Sequence, residues 1–145
     1  MITFIAVSNY RSLLNLTTGL SGLNVVTGAN GSGKSNLYKA FKPLSETARG
    51  GLVRALAEEG GLNSATWAGP EQLSRSMKAG IHPIEGVPRK ESLRLRLGFS
   101  AEDFSYSISL GMRPPMGNSE RFVPTQFNLD PAIKRECIWA GPHYR

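Results

Sequence analysis

Cysteine is nearly absent. Cys137 is the only one in 145 residues, which excludes an internal disulfide framework and any multi-cysteine metal site, and a reducing, cytoplasmic setting is the simplest expectation. The thiol itself is expected as a small buried apolar group rather than as a catalyst. Histidine is scarce too, and neither His82 nor His143 has Cys, Asp or Glu at the spacing of a zinc site. No apolar run approaches the roughly 20 residues that span a bilayer. The amino terminus, Met1 to Asn9, lacks a basic stretch and reaches a polar turn too soon for a signal peptide. Acidic residues are outnumbered 11 to 17 by basic ones, a formal net charge of +6, which favours polyanionic partners and has no bearing on fold. What is present, 40% hydrophobic residues, suits one domain with a real core and leaves no room for a second.

The order of patterns predicts the elements. Ile2 to Val7 reads as a strand, Asn9 to Ser12 as a turn, and Leu13 to Leu16 as a second run. Leu23 to Thr27 is a third strand candidate, apolar enough for burial on both faces. Leu37, Ala40, Phe41 and Leu44 then mark one face of a helix, which Pro43 should kink or end near Lys42. Leu52, Val53, Leu56 and Ala57 suggest a second short helix capped by Gly60-Gly61. From Gly61 to Pro88, prolines and glycines predict a surface excursion with one helical turn around Glu71 to Met77. Leu93, Leu95, Leu97 and Phe99, then Phe104, Tyr106, Ile108 and Leu110, alternate with polar or small residues and predict two antiparallel strands joined at Ser100 to Asp103. Ile133 to Trp139 reads as another strand. The tetrapeptide Trp-Ala-Gly-Pro occurs at Trp67 to Pro70 and at Trp139 to Pro142; it reads as an aromatic anchor before a turn and not as a repeat fold.

Between the third strand candidate and the first helix lies the stretch VVTGANGSGKSNL, Val25 to Leu37. Gly28, Gly33, Lys34 and Ser35 satisfy G-x-x-x-x-G-K-[ST], the phosphate-binding P-loop. Phosphate oxygens need charge met without bulk, so glycines let backbone N–H groups turn inward at the positive end of a helix. The expected nucleotide-binding set is Gly28, Asn30, Gly31, Ser32, Gly33, Lys34, Ser35 and Asn36. Lys34 doubles as the catalytic cation reaching the β- and γ-phosphates, and Ser35 as the hydroxyl ligand of Mg²⁺. A chance match in a chain this long is on the order of one in a hundred or less. A nucleoside triphosphate with Mg²⁺ is therefore expected, with no base-reading motif to choose adenine over guanine; ATP is what the resemblance below implies.

Asn9-Tyr10-Arg11-Ser12-Leu13 ahead of Gly-Ala-Asn-Gly-Ser-Gly-Lys-Ser-Asn resembles the start of RecF-like and SMC-like ATPases, a branch of the ABC ATPase superfamily. Leu37 to Phe41, Glu59 to Leu62 and Trp67 to Pro70 are similar to a bacterial family of AAA-type, RecF-like ATPases. The likeness is dense over about residues 1 to 70 and thin after that. It implies an α/β fold, the N-terminal lobe of a P-loop NTPase with a flanking antiparallel β-sheet. It also implies ATP hydrolysis between two heads joined face to face as a homodimer, DNA as a partner, and Arg11 as a nucleotide contact. Two parts of that engine are not legible: a signature segment, and a Walker B strand, to which Phe127-Asn128-Leu129-Asp130 is the nearest approach, with Asn128 and Pro131 off pattern. Gln126 and Gln72 are the candidates for the glutamine that such engines place at Mg²⁺. The expectation is a lobe spanning 1–145 and stopping before both motifs: about 1–62 strands, P-loop and helices, 63–88 excursion, 89–145 antiparallel strands.

Arg89, Lys90, Arg94 and Arg96 form the densest basic cluster, with Arg94 and Arg96 on one strand face that could track a nucleic-acid backbone. Glu58 and Glu59, at a helix end, read as solvated. The main reading is an ATP-binding lobe that grips nucleotide without cleaving it alone; its rival is a non-hydrolytic nucleotide-binding or interaction module. A P-loop kinase would need an acceptor pocket and lid arginines, for which Arg89 to Arg96 is the nearest candidate.

Overall fold

The computed structural model describes residues 1–70, 74–81, 93–112 and 131–142. Its strands are β1 (Ile2–Tyr10), β2 (Leu13–Gly19), β3 (Arg94–Ala101), β4 (Phe104–Met112) and β5 (Pro131–Ala140); its helices are α1 (Lys34–Thr47), α2 (Leu52–Glu58), α3 (Leu62–Ala65) and α4 (Arg75–Lys78). The strands form one sheet in the order β2-β1-β3-β4-β5, antiparallel at every junction. The alternation read in the sequence sets its two faces. Ile5, Val7, Leu95, Leu97, Ile108 and Leu110 point to one side, where they meet Ala40 and Leu44 of α1, Leu52 and Leu56 of α2, and Leu62 and Ala65 of α3 in a single core. Each fully buried aliphatic side chain here stabilises the fold by about 1.5–3 kcal/mol. The opposite face carries Ala6, Ser8, Arg94, Arg96, Ser107 and Ser109.

The β1–β2 turn is tight. Tyr10 pairs with Leu13, and the chain reverses with Asn9 at φ 60 and Arg11 at φ 48. Asn tolerates this left-handed backbone better than most residues, and its amide donates to the Arg94 carbonyl at 3.0 Å.

Several expectations are corrected. The strand over Leu23 to Thr27 does not form: the segment is outside any strand, and Leu23 and Val25 are 83% and 80% exposed. A strand needs ladder partners, and residues 23–27 make no strand pairing among the described residues. Among the described residues every strand belongs to this antiparallel sheet, and the core packs on it. Pro43 does not end α1, which runs on to Thr47. Its ring is fully buried beside Ala40 and Leu44, so packing on the core offsets part of the cost of the missing N–H. Residues from Gly61 to Pro70 are not a surface excursion. Leu62, Ala65 and Thr66 are buried, Thr66 bridges to Tyr10, and the Arg11 N–H donates to the Ala65 carbonyl at 2.9 Å. Cys137 is half-buried rather than buried, because it faces away from the helices on edge strand β5.

Other readings hold with adjusted ends. The Gly60 and Gly61 cap is present at φ 92 and 86, their N–H groups donating to the carbonyls of Ala57 and Leu56. The helical turn expected from Glu71 is α4, with Ser74 accepting from the Met77 N–H; residues 71–73 lie outside the described set. In the first Trp-Ala-Gly-Pro the indole of Trp67 donates to the Pro70 carbonyl at 2.9 Å, and in the second the Gly141 carbonyl accepts from Ser105 at 2.7 Å. Among the described residues no helix is long and apolar enough to cross a membrane.

Candidate functional site

The loop from Gly28 to Gly33 lies on the surface and leads straight into α1. Gly28, Gly31 and Gly33 have φ of 153, 82 and 93, conformations that L side chains rarely adopt. At two of them a side chain would also collide: a Cβ on Gly28 would stand 2.9 Å from Ser32 Oγ, and one on Gly33 2.9 Å from Ser12 Oγ. Gly33 is the N-cap of α1 and offers no side chain to it. The cap is filled from the loop only in part. Asn36 and Leu37 donate their N–H groups to the Gly33 carbonyl, and Ser32 donates to Ala29. The amides of Gly31, Gly33, Lys34 and Ser35 have no acceptor among the described residues. Four unfilled donors at the positive pole of a 14-residue helix are the kind of groups that suit an anion.

Lys34 completes it. Its Nζ donates to the carbonyl oxygens of Gly28 at 2.6 Å and Ala29 at 2.7 Å, so the ammonium is held inside the curve of its own loop. No carboxylate among the described residues pairs with it. A phosphate oxygen, being charged, is a stronger acceptor than either carbonyl and can displace them. Ser35, exposed in the first turn, has an uncommitted hydroxyl. Among the described residues no group of three His, Cys, Asp or Glu could hold a metal. Any Mg²⁺ at Ser35 would therefore complete its shell with phosphate oxygens and water, the habit of that ion. The residues fit a Mg²⁺-bound triphosphate.

The β1–β2 turn braces the loop. Asn36 Nδ2 donates to Ser12 Oγ at 2.7 Å, and Leu13 packs where a side chain on Gly33 would go. Gly28, Asn30, Gly31, Ser32, Gly33, Lys34, Ser35 and Asn36 are thus together. Arg11 is directed elsewhere: its Nη2 and Nε bond Glu59 Oε2 at 2.9 and 3.2 Å. The Tyr10 hydroxyl meets the same carboxylate at 2.9 Å, and the Arg11 guanidinium lies 5.8 Å from the Tyr10 ring centre.

Glu59 is a correction. Read as solvated, it keeps a side chain only 10% exposed and ties α2 to the β1–β2 turn. One signal could have revealed it: an acid beside the negative pole of a helix is locally unfavourable and needs a cation. Burial of Tyr10 pushes its pKa up to about 12; the Glu59 carboxylate adds to the rise and Arg11 opposes it. Hydrogen bonds to Tyr10 and Glu59 hold Arg11 above its ordinary value. Glu58 is solvent-facing as expected, its carboxyl held below its usual range first by Lys42 and then by Arg54.

Gln72, Gln126, His82, His143, Arg89, Lys90 and the segment Phe127 to Asp130 lie outside the described residues.

Residues 23–136 match the family model described as "AAA domain, putative AbiEii toxin, Type IV TA system". That span contains the whole glycine loop and all the helices. No curated protein matches the chain significantly.

Proposed function

Because the chain belongs to this AAA domain family, whose members are P-loop ATPases in general, we propose that it binds ATP in the curve of residues 28–36 as the N-terminal lobe of a RecF/SMC-like ATPase. One observation carries the reading: at the start of α1 the amides of Gly31, Gly33, Lys34 and Ser35 have no acceptor among the described residues, and the Lys34 ammonium is held within the same loop by the Gly28 and Ala29 carbonyls. On binding, the Gly31, Gly33, Lys34 and Ser35 amides donate to phosphate oxygens, and Lys34 exchanges the Gly28 and Ala29 carbonyls for the β- and γ-phosphates. Bound Mg²⁺ supplies further neutralisation of those oxygens, with the Ser35 hydroxyl as its protein ligand. Arg11, held by Glu59, would reach a nucleotide only by leaving that carboxylate, and its part in binding belongs to this proposal. So do the face-to-face homodimer of the complete protein and its link to DNA.

Among the described residues Lys34 bonds only its own loop, and on this reading the chain alone grips without turning over unless a carboxylate and a signature serine arrive to position water. Titration calorimetry with ATP and with a non-hydrolysable analogue, each with and without Mg²⁺, tests this beside a phosphate-release assay. Mg²⁺-dependent binding of both without phosphate release is expected, and Lys34→Ala should weaken it at least ~10-fold, or about 1.4 kcal/mol. Unchanged affinity in that variant would overturn the proposal. Steady turnover by the chain alone would overturn the account of grip without cleavage.

A further inference from the structure

The sheet face turned away from the helices holds a hollow of about 700 Å³. Register explains its lining. Asn15, Ser8, Arg96, Ser109 and Arg135 stand opposite one another in one row across all five strands. The next row runs Ala6, Gly98, Ser107, Cys137, a floor of small side chains. Arg94 extends the basic end, and Trp139 walls the other. Among the described residues no acidic side chain lines the hollow; Glu136 on β5 faces the helix side, where it accepts from Tyr106 at 2.6 Å.

Three features point to a ligand. Arg94 and Arg96 are exposed and have no acidic partner among the described residues. Arg135 is oriented over the floor, its Nε donating to Cys137 Sγ at 3.3 Å. Between Arg96 and Arg135, Ser109 Oγ is buried without a hydrogen-bond partner among the described residues, an omission that native structures rarely tolerate without a purpose. Like charges gathered around an unfilled hydroxyl call for anionic oxygen, and Arg is the residue whose fork fits phosphate.

We propose that this face binds single-stranded nucleic acid, with Arg94, Arg96 and Arg135 meeting successive backbone phosphates, Ser109 donating to one of them, and the floor admitting a base toward Trp139. Arg94 and Arg96 are two residues apart on one strand, roughly 6.7 Å, so they can serve neighbouring phosphates of one strand. A duplex is disfavoured because this hollow offers no helix or ribbon to enter a groove, whereas a basic hollow with an aromatic edge suits an unpaired strand. The inference stands on the sheet alone and not on the nucleotide reading.

The test is fluorescence anisotropy of the full chain with labelled oligothymidylate of ~12 nucleotides. Three phosphate contacts give a slope of about −2 in log affinity against log salt, or about 20-fold weaker binding from 50 to 200 mM. Arg94→Ala with Arg96→Ala should lower affinity at least ~10-fold and flatten the slope by about 1.4. Arg49→Ala with Arg54→Ala removes the same charge from the exposed helix side and should change binding less than ~2-fold. Lys34→Ala should leave it intact, which separates this site from the nucleotide loop. Equal losses in the two arginine pairs, equal affinity for duplex, or displacement by equimolar tripolyphosphate would each overturn the proposal, the last by showing a small-polyphosphate site.

Discussion

At Gly33 a single hydrogen in place of a side chain holds open the entrance to α1. A φ of 93 and a 2.9 Å approach to Ser12 Oγ leave no place for a methyl group. Gly33→Ala is expected to destabilise the chain by about 1–2 kcal/mol through left-handed strain and to weaken ATP binding, measured by urea denaturation and calorimetry on one preparation. Tyr10 poses a pH question. Its folded pKa of about 12 lies above an unfolded value near 10, so the neutral phenol is the form that folding favours. The sign follows: this contribution is complete below about pH 10 and is lost as pH rises through about 12. Urea midpoints of the wild type should fall more steeply across that window than those of Tyr10→Phe; parallel curves would remove the buried phenol from the account. Glu59, its partner, was not legible as such, because a contact across 49 residues leaves no local spacing to read.

Among the elements, α1 shows competing local and tertiary demands. A proline in a helix interior costs about 3 kcal/mol. Replacing Pro43 by alanine removes two buried methylenes, about 1.6 kcal/mol at 0.8 each, and restores the donor. The helix term wins, so Pro43→Ala should stabilise the chain by about 1 kcal/mol in denaturant titration, and a loss of stability would mean that the ring's packing outweighs the bond. Strands β3 and β4 were legible to within a residue or two because alternation over eight or nine residues is a strong signal with one face buried. The segment Leu23 to Thr27 carried an equally apolar signal and formed no strand. Apolarity reports that a segment can be buried; it does not supply the neighbour.

For the molecule as a whole, the arrangement separates the two surfaces proposed for anions. The glycine loop sits at the start of α1 against the β1–β2 turn, and the arginine hollow lies on the sheet face away from the helices. A face-to-face homodimer, if nucleotide drives it, should appear as a doubling of mass in sedimentation velocity with ATP and Mg²⁺ and not with Lys34→Ala. A monomer at saturating nucleotide would count against the dimer while leaving binding untouched. The family match supports the ATPase class over most of the chain, and the geometry around Lys34 supports how phosphate would be held.

The sequence by itself determined the glycine loop, its lysine and serine, and the alternation of β3 and β4, because each rests on neighbours within a few residues: backbone dihedrals that only glycine enters readily, a helix start, a two-residue period. Only the tertiary structure decided that Glu59 would hold Tyr10 and Arg11, that α1 would run through Pro43, and that Arg135 would join Arg96 in one row with Ser109 between them. Those outcomes depend on strand order and on which surfaces meet, and long-range pairing is set by the burial of the whole core rather than by any local pattern.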